Sequence, residues 1–230
     1  MSEEQERPAE HLLVGQPMDR VDGQLKVTGA ARYATDTILD DLAYGVLITS
    51  TIPKGRVLDI NSAEVEKLPG VLAVLTPANA PRLPQGSMDA QSQTPIGARK
   101  VHLLQEDTVY YSGQPIGVVI AETFEQATCA ARLAQVSYEA QEPALDFNAE
   151  QEHAYKPESL GAVPSPVDSN EGDVVAGLHD ADQVVEEIYQ TQVQTHNPME
   201  PHGIVAAWDG DHLTLHHSTQ GIFATQQRIA

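Results

Sequence analysis

The chain has 230 residues, 33 of them acidic and 13 basic, for a net charge of −20, and 41% are hydrophobic. This length and apolar content suffice for one large or two smaller folded domains and exclude a disordered chain. The acidic balance excludes nucleic acid and anionic membranes as main partners and disfavours strongly anionic substrates. The single cysteine, Cys129, excludes an internal disulfide and the thiolate sets of iron–sulfur and structural zinc sites, so any electron transfer must leave through another chain.

The opening Met1-Ser2-Glu3-Glu4-Gln5-Glu6-Arg7 is acidic and carries no hydrophobic signal region. No stretch approaches the roughly 18 apolar residues of a membrane span. A cytoplasmic location is expected, or a periplasmic one if a signal-bearing partner carries the chain out.

Residues 1–25 are polar and proline-punctuated and read as an extended arm, with structure starting near Lys26. Tyr44 to Ser50 is a continuous β-rich run of the kind covered on both faces. Asn61 with Glu64 three residues on predicts a capping box and a helix that stops at Leu68-Pro69-Gly70. Val71 to Thr76 returns as a strand. Ala80 to Lys100 lacks periodicity and reads as a long surface loop or a contact arm.

Pro115 to Ala121 predicts a buried strand, and Thr123 with Gln126 opens a second capped helix. Along that helix Phe124, Ala127, Ala131 and Ala134 can share a face, with Cys129 and Leu133 beside it, so Cys129 is expected to pack as a small hydrophobe. Val136 to Glu139 closes the unit as a strand. Strands separated by helices predict an α/β or α+β domain over residues 26–141.

Residues 142–182, with four prolines and several acidic groups, read as a linker that wraps on the fold through Tyr155 and Leu160. Val184 to Val193 reads as a strand. Asp209-Gly210-Asp211 between Gly203–Trp208 and His212–His217 is a strong hairpin signal, so a second sheet begins within residues 183–230. The closing stretch from Gly221 has helix-forming residues and no terminating glycine or loop, and reads as a helix cut in mid-course.

Several residues here could carry chemistry. His212, His216 and His217 invite a metal reading, with His212 and His216 on one side of a strand, against which stands a solvated hairpin with polar tips. His196 and His202 bracket the turn around Pro198 and Pro201 and fit structural roles. Glu200, between Met199 and Pro201 in an uncharged stretch, is expected to be partly buried. It suits either a polar role near a cofactor or a carboxylate that holds a turn by accepting main-chain N–H bonds. Gln220 and Gly221 sit at a strand-to-helix junction, where side chains point at bound ligands, although an isolated glutamine there also reads as a cap. No Gly-x-Gly-x-x-Gly follows a strand and no Walker loop occurs, so a Rossmann cofactor is not supported. No nucleophilic Ser/His/Asp or Cys/His set stands out, and no catalytic or metal-ligating residue is assigned.

The run Arg20 to Tyr33, Pro69 to Thr76, Gly113 to Ala121, Glu171-Gly172-Asp173, Met199-Glu200-Pro201-His202 and Ser218-Thr219-Gln220 follow one another over almost the whole chain. In this order they resemble the large, molybdenum-binding subunit of the xanthine dehydrogenase and aldehyde oxidase family, in particular the bacterial three-subunit aldehyde oxidoreductases of periplasmic type. The resemblance implies an α/β hammerhead domain followed by the start of a molybdopterin-binding α+β domain from about residue 183. It implies a molybdenum cofactor, as molybdopterin or its cytosine dinucleotide. It also implies three partners: the remaining part of the molybdenum subunit, an iron–sulfur subunit and an FAD subunit.

In that family the glutamine matching Gln220 hydrogen-bonds an oxygen ligand of the metal, which makes Gln220 and Gly221 cofactor-binding candidates with Glu200 in support. The family's later glycine-rich loops and its general-base glutamate have no counterpart among these motifs. The implied function is the N-terminal portion of an oxidoreductase that oxidises aldehydes or N-heterocycles with water-derived oxygen and is inactive alone. The alternative is a non-catalytic interaction or assembly module that keeps only the hammerhead fold.

Overall fold

The computed structural model describes residues 15–83, 101–156 and 168–229. The expected loop over 80–100 lies mostly outside these residues, as does the middle of the expected linker. The chain divides into two compact units. One takes residues up to Leu39 together with Val193–Ile222, and the other takes Asp40–Gln192 with the residues after Ile222. Helices and small antiparallel sheets alternate, so the fold is mixed α/β.

The larger unit is built on two three-stranded sheets. Strands β1 (Tyr44–Thr49), β2 (Gly55–Ile60) and β3 (Val71–Leu75) come first, with the short helix α2 (Ser62–Val65) between β2 and β3. They are preceded by helix α1 (Gly23–Val27), which belongs to the smaller unit. Strands β4 (Thr108–Val109), β5 (Pro115–Ala121) and β6 (Val136–Ala140) follow, with helix α3 (Phe124–Leu133) between β5 and β6. One sheet runs β1-β5-β3 and the other β4-β2-β6, every pairing antiparallel.

The uniform apolar run of β5 makes it the central strand, with Ile116, Val119 and Ala121 buried. Ile48, Val57, Ile60, Val65, Val74, Val109 and Ala130 join Ile116 and Val119 in one core that both sheets and both helices share. Val74 and Val119 are completely enclosed, and each contributes about 1.5–3 kcal/mol by its burial.

Two motifs of the sequence have direct structural work. Gln114 is 3% exposed, and its carboxamide accepts from Tyr110 N at 2.7 Å and donates to Thr108 O at 2.7 Å. Its own carbonyl accepts from Ser50 N at 2.8 Å, so one glutamine ties β4 and the end of β1 to the start of β5. Thr123 Oγ1 accepts from Gln126 N and Gln126 Oε1 accepts from Thr123 N, which is the expected capping box.

Other expectations are corrected. Among the described residues β1 pairs with β5 alone, which makes it an edge strand: Ile48 is buried while Leu47 is 53% exposed. Asn61 precedes α2 without capping it, because its Oδ1 accepts instead from Gln135 N at 2.7 Å across the sheet. Helix α3 buries Ala127 and Ala130 with Ala131 and Ala134 half-covered, which leaves Phe124, Leu133 and Cys129 exposed. Small alanines let α3 lie close on the sheet, and the larger side chains fall on the other side of the helix.

β2 and β4 were not foreseen. A bulge between Val57 and Asp59 shifts the β2 register against β6 and breaks the alternation by which a strand is recognised, and β4 has only two residues.

The stretch 142–182 contains helix α4 (Val174–His179), capped by Asp173 Oδ1 accepting from Ala176 N at 2.9 Å. Glu171-Gly172-Asp173 is therefore a helix-start signal. The expected strand over Val184–Val193 is not one: its residues are exposed and pair with no strand among the described residues. β-forming side chains alone do not hold an extended segment as a strand, because the strand exists only through its ladder.

Candidate functional site

The smaller unit carries the candidate site residues. The Asp-Gly-Asp turn joins β7 (Ile204–Asp209) to β8 (His212–His217) in full register from Ile204 opposite His217 to Asp209 opposite His212. This pairing sets the two faces of the hairpin. Ile204, Ala206 and Trp208 share one with His217, Leu215 and Leu213, and Val205, Ala207 and Asp209 share the other with His216, Thr214 and His212. His212 and His216 are thus on one side, as expected, but His217 is on the other and its Nδ1 is engaged with Ser218 O at 2.9 Å. No group of three His, Cys, Asp or Glu side chains is gathered for a metal ion among the described residues.

Because Ile204 faces His217, the chain enters and leaves the hairpin at the same end. Glu200-Pro201-His202-Gly203 leads in, and Ser218-Thr219-Gln220-Gly221 leads out into helix α5 (Ile222–Ile229). At this open end a one-turn 3-10 helix, Ala34–Asp36, packs against both β7 and β8. Two contacts hold it. Ala34 N donates to Glu200 Oε1 at 3.2 Å in a part-buried position. A Cβ on Gly203 would fall 2.2 Å from Thr35 Cγ2, so only glycine lets the turn sit this close. Tyr33 N donates to Asp36 Oδ2 at 2.8 Å, which closes the turn on itself.

Glu200 is half-buried, as expected, and its carboxylate holds a turn by accepting a main-chain N–H. Gln220 is exposed and its carboxamide engages no partner among the described residues. Gly221 N donates to Thr219 Oγ1 at 3.1 Å, so the junction before α5 is closed by a threonine side chain. The hairpin register brings the stretch that carries Glu200 and the stretch that carries Gln220 and Gly221 to one end of one unit. An exposed carboxamide offers two N–H donors and one carbonyl acceptor to an oxygen-rich ligand.

The Ala34 N–H, Thr35 and Gly203 were not foreseen as parts of this site. Their partners lie 166 residues apart in the chain for the Ala34–Glu200 bond, a distance no local pattern spans. Only the presence of Arg20 to Tyr33 and Met199 to His202 in one family signature hinted that they belong together.

The sequence of residues 28–142 matches the family described as aldehyde oxidase and xanthine dehydrogenase, a/b hammerhead domain. Residues 155–230 match the molybdopterin cofactor-binding domain. The chain is 37% identical over 220 residues to the aldehyde oxidoreductase molybdenum-binding subunit PaoC of Escherichia coli, covering 94% of this chain and 28% of that protein. It is 33% identical over 227 residues to a probable xanthine dehydrogenase component of Bacillus subtilis, covering 95% of this chain and 29% of that one. The crystal structure of the aldehyde oxidoreductase from Desulfovibrio desulfuricans agrees in fold, with a TM-score of 0.68, 22% identity and coverage of 97% of this chain and 26% of that one. The chain therefore spans under a third of the length of these relatives, and by its matched domains and its sequence it belongs to the aldehyde oxidase and xanthine dehydrogenase family, homologous to the molybdenum-binding subunits.

Proposed function

We propose that this chain forms the N-terminal portion of the molybdenum-binding part of a hydroxylase that oxidises aldehydes or N-heterocycles with water-derived oxygen. The observation that carries the reading is the exposed carboxamide of Gln220, without a partner among the described residues, at a strand-to-helix junction inside the stretch matched to the cofactor-binding domain. The residues present fit the group. Gln220 would donate to an oxygen of the molybdenum cofactor, molybdopterin or its cytosine dinucleotide, and the start of α5 with Gly221 would lie beside it. When bound, the cofactor supplies the two-electron redox chemistry and activates water. Glu200 supports the site without touching the reacting atoms. No residue described here is assigned as general base, so turnover is proposed for the assembled enzyme only.

Cys129 is the sole cysteine, so the electrons would pass to iron–sulfur clusters on one partner subunit and to FAD on another, with the remaining part of the molybdenum subunit completing the site. Among the described residues no helix is long and apolar enough to cross a membrane. The assembly is proposed to work in the cytoplasm, or in the periplasm when exported with a signal-bearing partner.

The test is purification of the N-terminally tagged chain from its source cell, with molybdenum, iron and flavin measured in the same preparation. Co-purification with iron–sulfur and flavin polypeptides and with molybdenum is the expected result. A monodisperse chain without molybdenum or partners would overturn it in favour of a non-catalytic module that keeps the hammerhead fold.

A further inference from the structure

We propose that Glu200 is a positioning residue: its carboxylate clasps the Tyr33–Asp36 turn onto the open end of the β7–β8 hairpin and thereby fixes the stretch Ser218–Gln220 that leaves from that end. The inference rests on the reading of Gln220 given above and states what the support from Glu200 consists of.

Three observations carry it. Ala34 N donates to Glu200 Oε1, so one carboxylate oxygen is committed to the main chain of the turn. Thr35 lies against Gly203 closely enough to forbid a Cβ, so the turn is seated on the residue before β7. The register puts Ile204 opposite His217, and the turn packs on both strands, so the place it grips is the place from which Ser218-Thr219-Gln220 departs.

A two-stranded hairpin by itself is only marginally stable, and its open end frays first. A turn fastened across that end adds a third element to a hairpin that is two-stranded among the described residues. It also makes a segment near residue 34, which the sequence match assigns to the hammerhead domain, a working part of the hairpin that carries the cofactor candidates.

The experiment is amide hydrogen exchange by NMR on the full chain, comparing wild type with Glu200→Ala, Glu200→Gln and Gln220→Ala. Glu200→Ala is expected to speed exchange at Ala34 and through residues 204–217 by about tenfold, the loss of one part-buried hydrogen bond. Glu200→Gln keeps an acceptor oxygen and is expected to restore most of the protection, which a role through charge or cofactor contact alone would not produce. Gly203→Val, which pushes Thr35 away without altering the carboxylate, is expected to reproduce the faster exchange and serves where Glu200→Ala fails to fold. Unchanged exchange at Ala34 in Glu200→Ala, or a Glu200→Gln no better protected than Glu200→Ala, would overturn the clasp. Gln220→Ala is expected to leave the exchange untouched, and its molybdenum content reports on the cofactor reading alone, so either reading can fail while the other stands.

Discussion

The carboxamide of Gln126 lies against Gly70 so closely that a Cβ at Gly70 would fall 2.2 Å from Gln126 Cδ. Gly70 has φ +77, a left-handed conformation, and its carbonyl accepts from Glu122 N at 2.9 Å. The glycine that leads into β3 is therefore also the floor on which the capping box of α3 rests. Gly70→Ala combines backbone strain with a displaced cap and is expected to cost about 1–3 kcal/mol, read as a lower denaturation midpoint in urea. A midpoint equal to wild type would show that the cap has room to move.

Gln114→Leu keeps the volume and removes both side-chain bonds, the part-buried ones to Tyr110 N and Thr108 O. The expected loss is about 2–4 kcal/mol in chemical denaturation. A loss below a few tenths would mean that water or a neighbouring group replaces the glutamine.

Cys129 is exposed beside Phe124 and Leu133 on the outer side of α3. It is expected to react completely with a maleimide in the native state, at a rate close to that in denaturant. Protection in the native chain would place a partner or a second copy on this face of the helix.

Lys26, donating to Asp22 at 2.9 Å, and Arg20 on its other side hold the Asp22 carboxyl at about 2, below its ordinary 3.8. A carboxylate depressed by folding adds stability above its ordinary value and loses it as pH falls toward the folded value. The turn Gly23–Val27 is thus expected to loosen between about pH 3.8 and about 2. Asp107, held below the usual carboxylate range by its bond with Arg56, shares that sign on the β2–β4 edge. NMR shifts of the Gly23–Val27 amides should follow this titration in wild type and lose it in Asp22→Asn, and an unchanged titration in the variant would refute the assignment.

The sequence made legible what short-range physics decides. The unbroken apolar run of β5, the Thr123–Gln126 cap and the Asp-Gly turn of the hairpin each carry their cause within a few residues, and each stands in the structure as expected. Long-range pairing was not legible. Val184–Val193 has the side chains of a strand and no ladder among the described residues, whereas Gly55–Ile60 is a strand whose bulge hides its period. For the candidate site, the partial burial of Glu200 and the junction at Gln220 were foreseen, but its partner Ala34 is 166 residues away and contributes a main-chain N–H that leaves no trace in residue identity.

The most direct measurement of the proposed cofactor role is molybdenum content and the molybdenum X-ray absorption spectrum of the tagged protein with its partners, wild type beside Gln220→Ala. Molybdenum is expected in the wild-type preparation and, in Gln220→Ala, either a clear loss of metal or a changed spectrum as the carboxamide donor is removed. Wild-type protein without molybdenum, or two preparations alike in content and spectrum, would contradict that role.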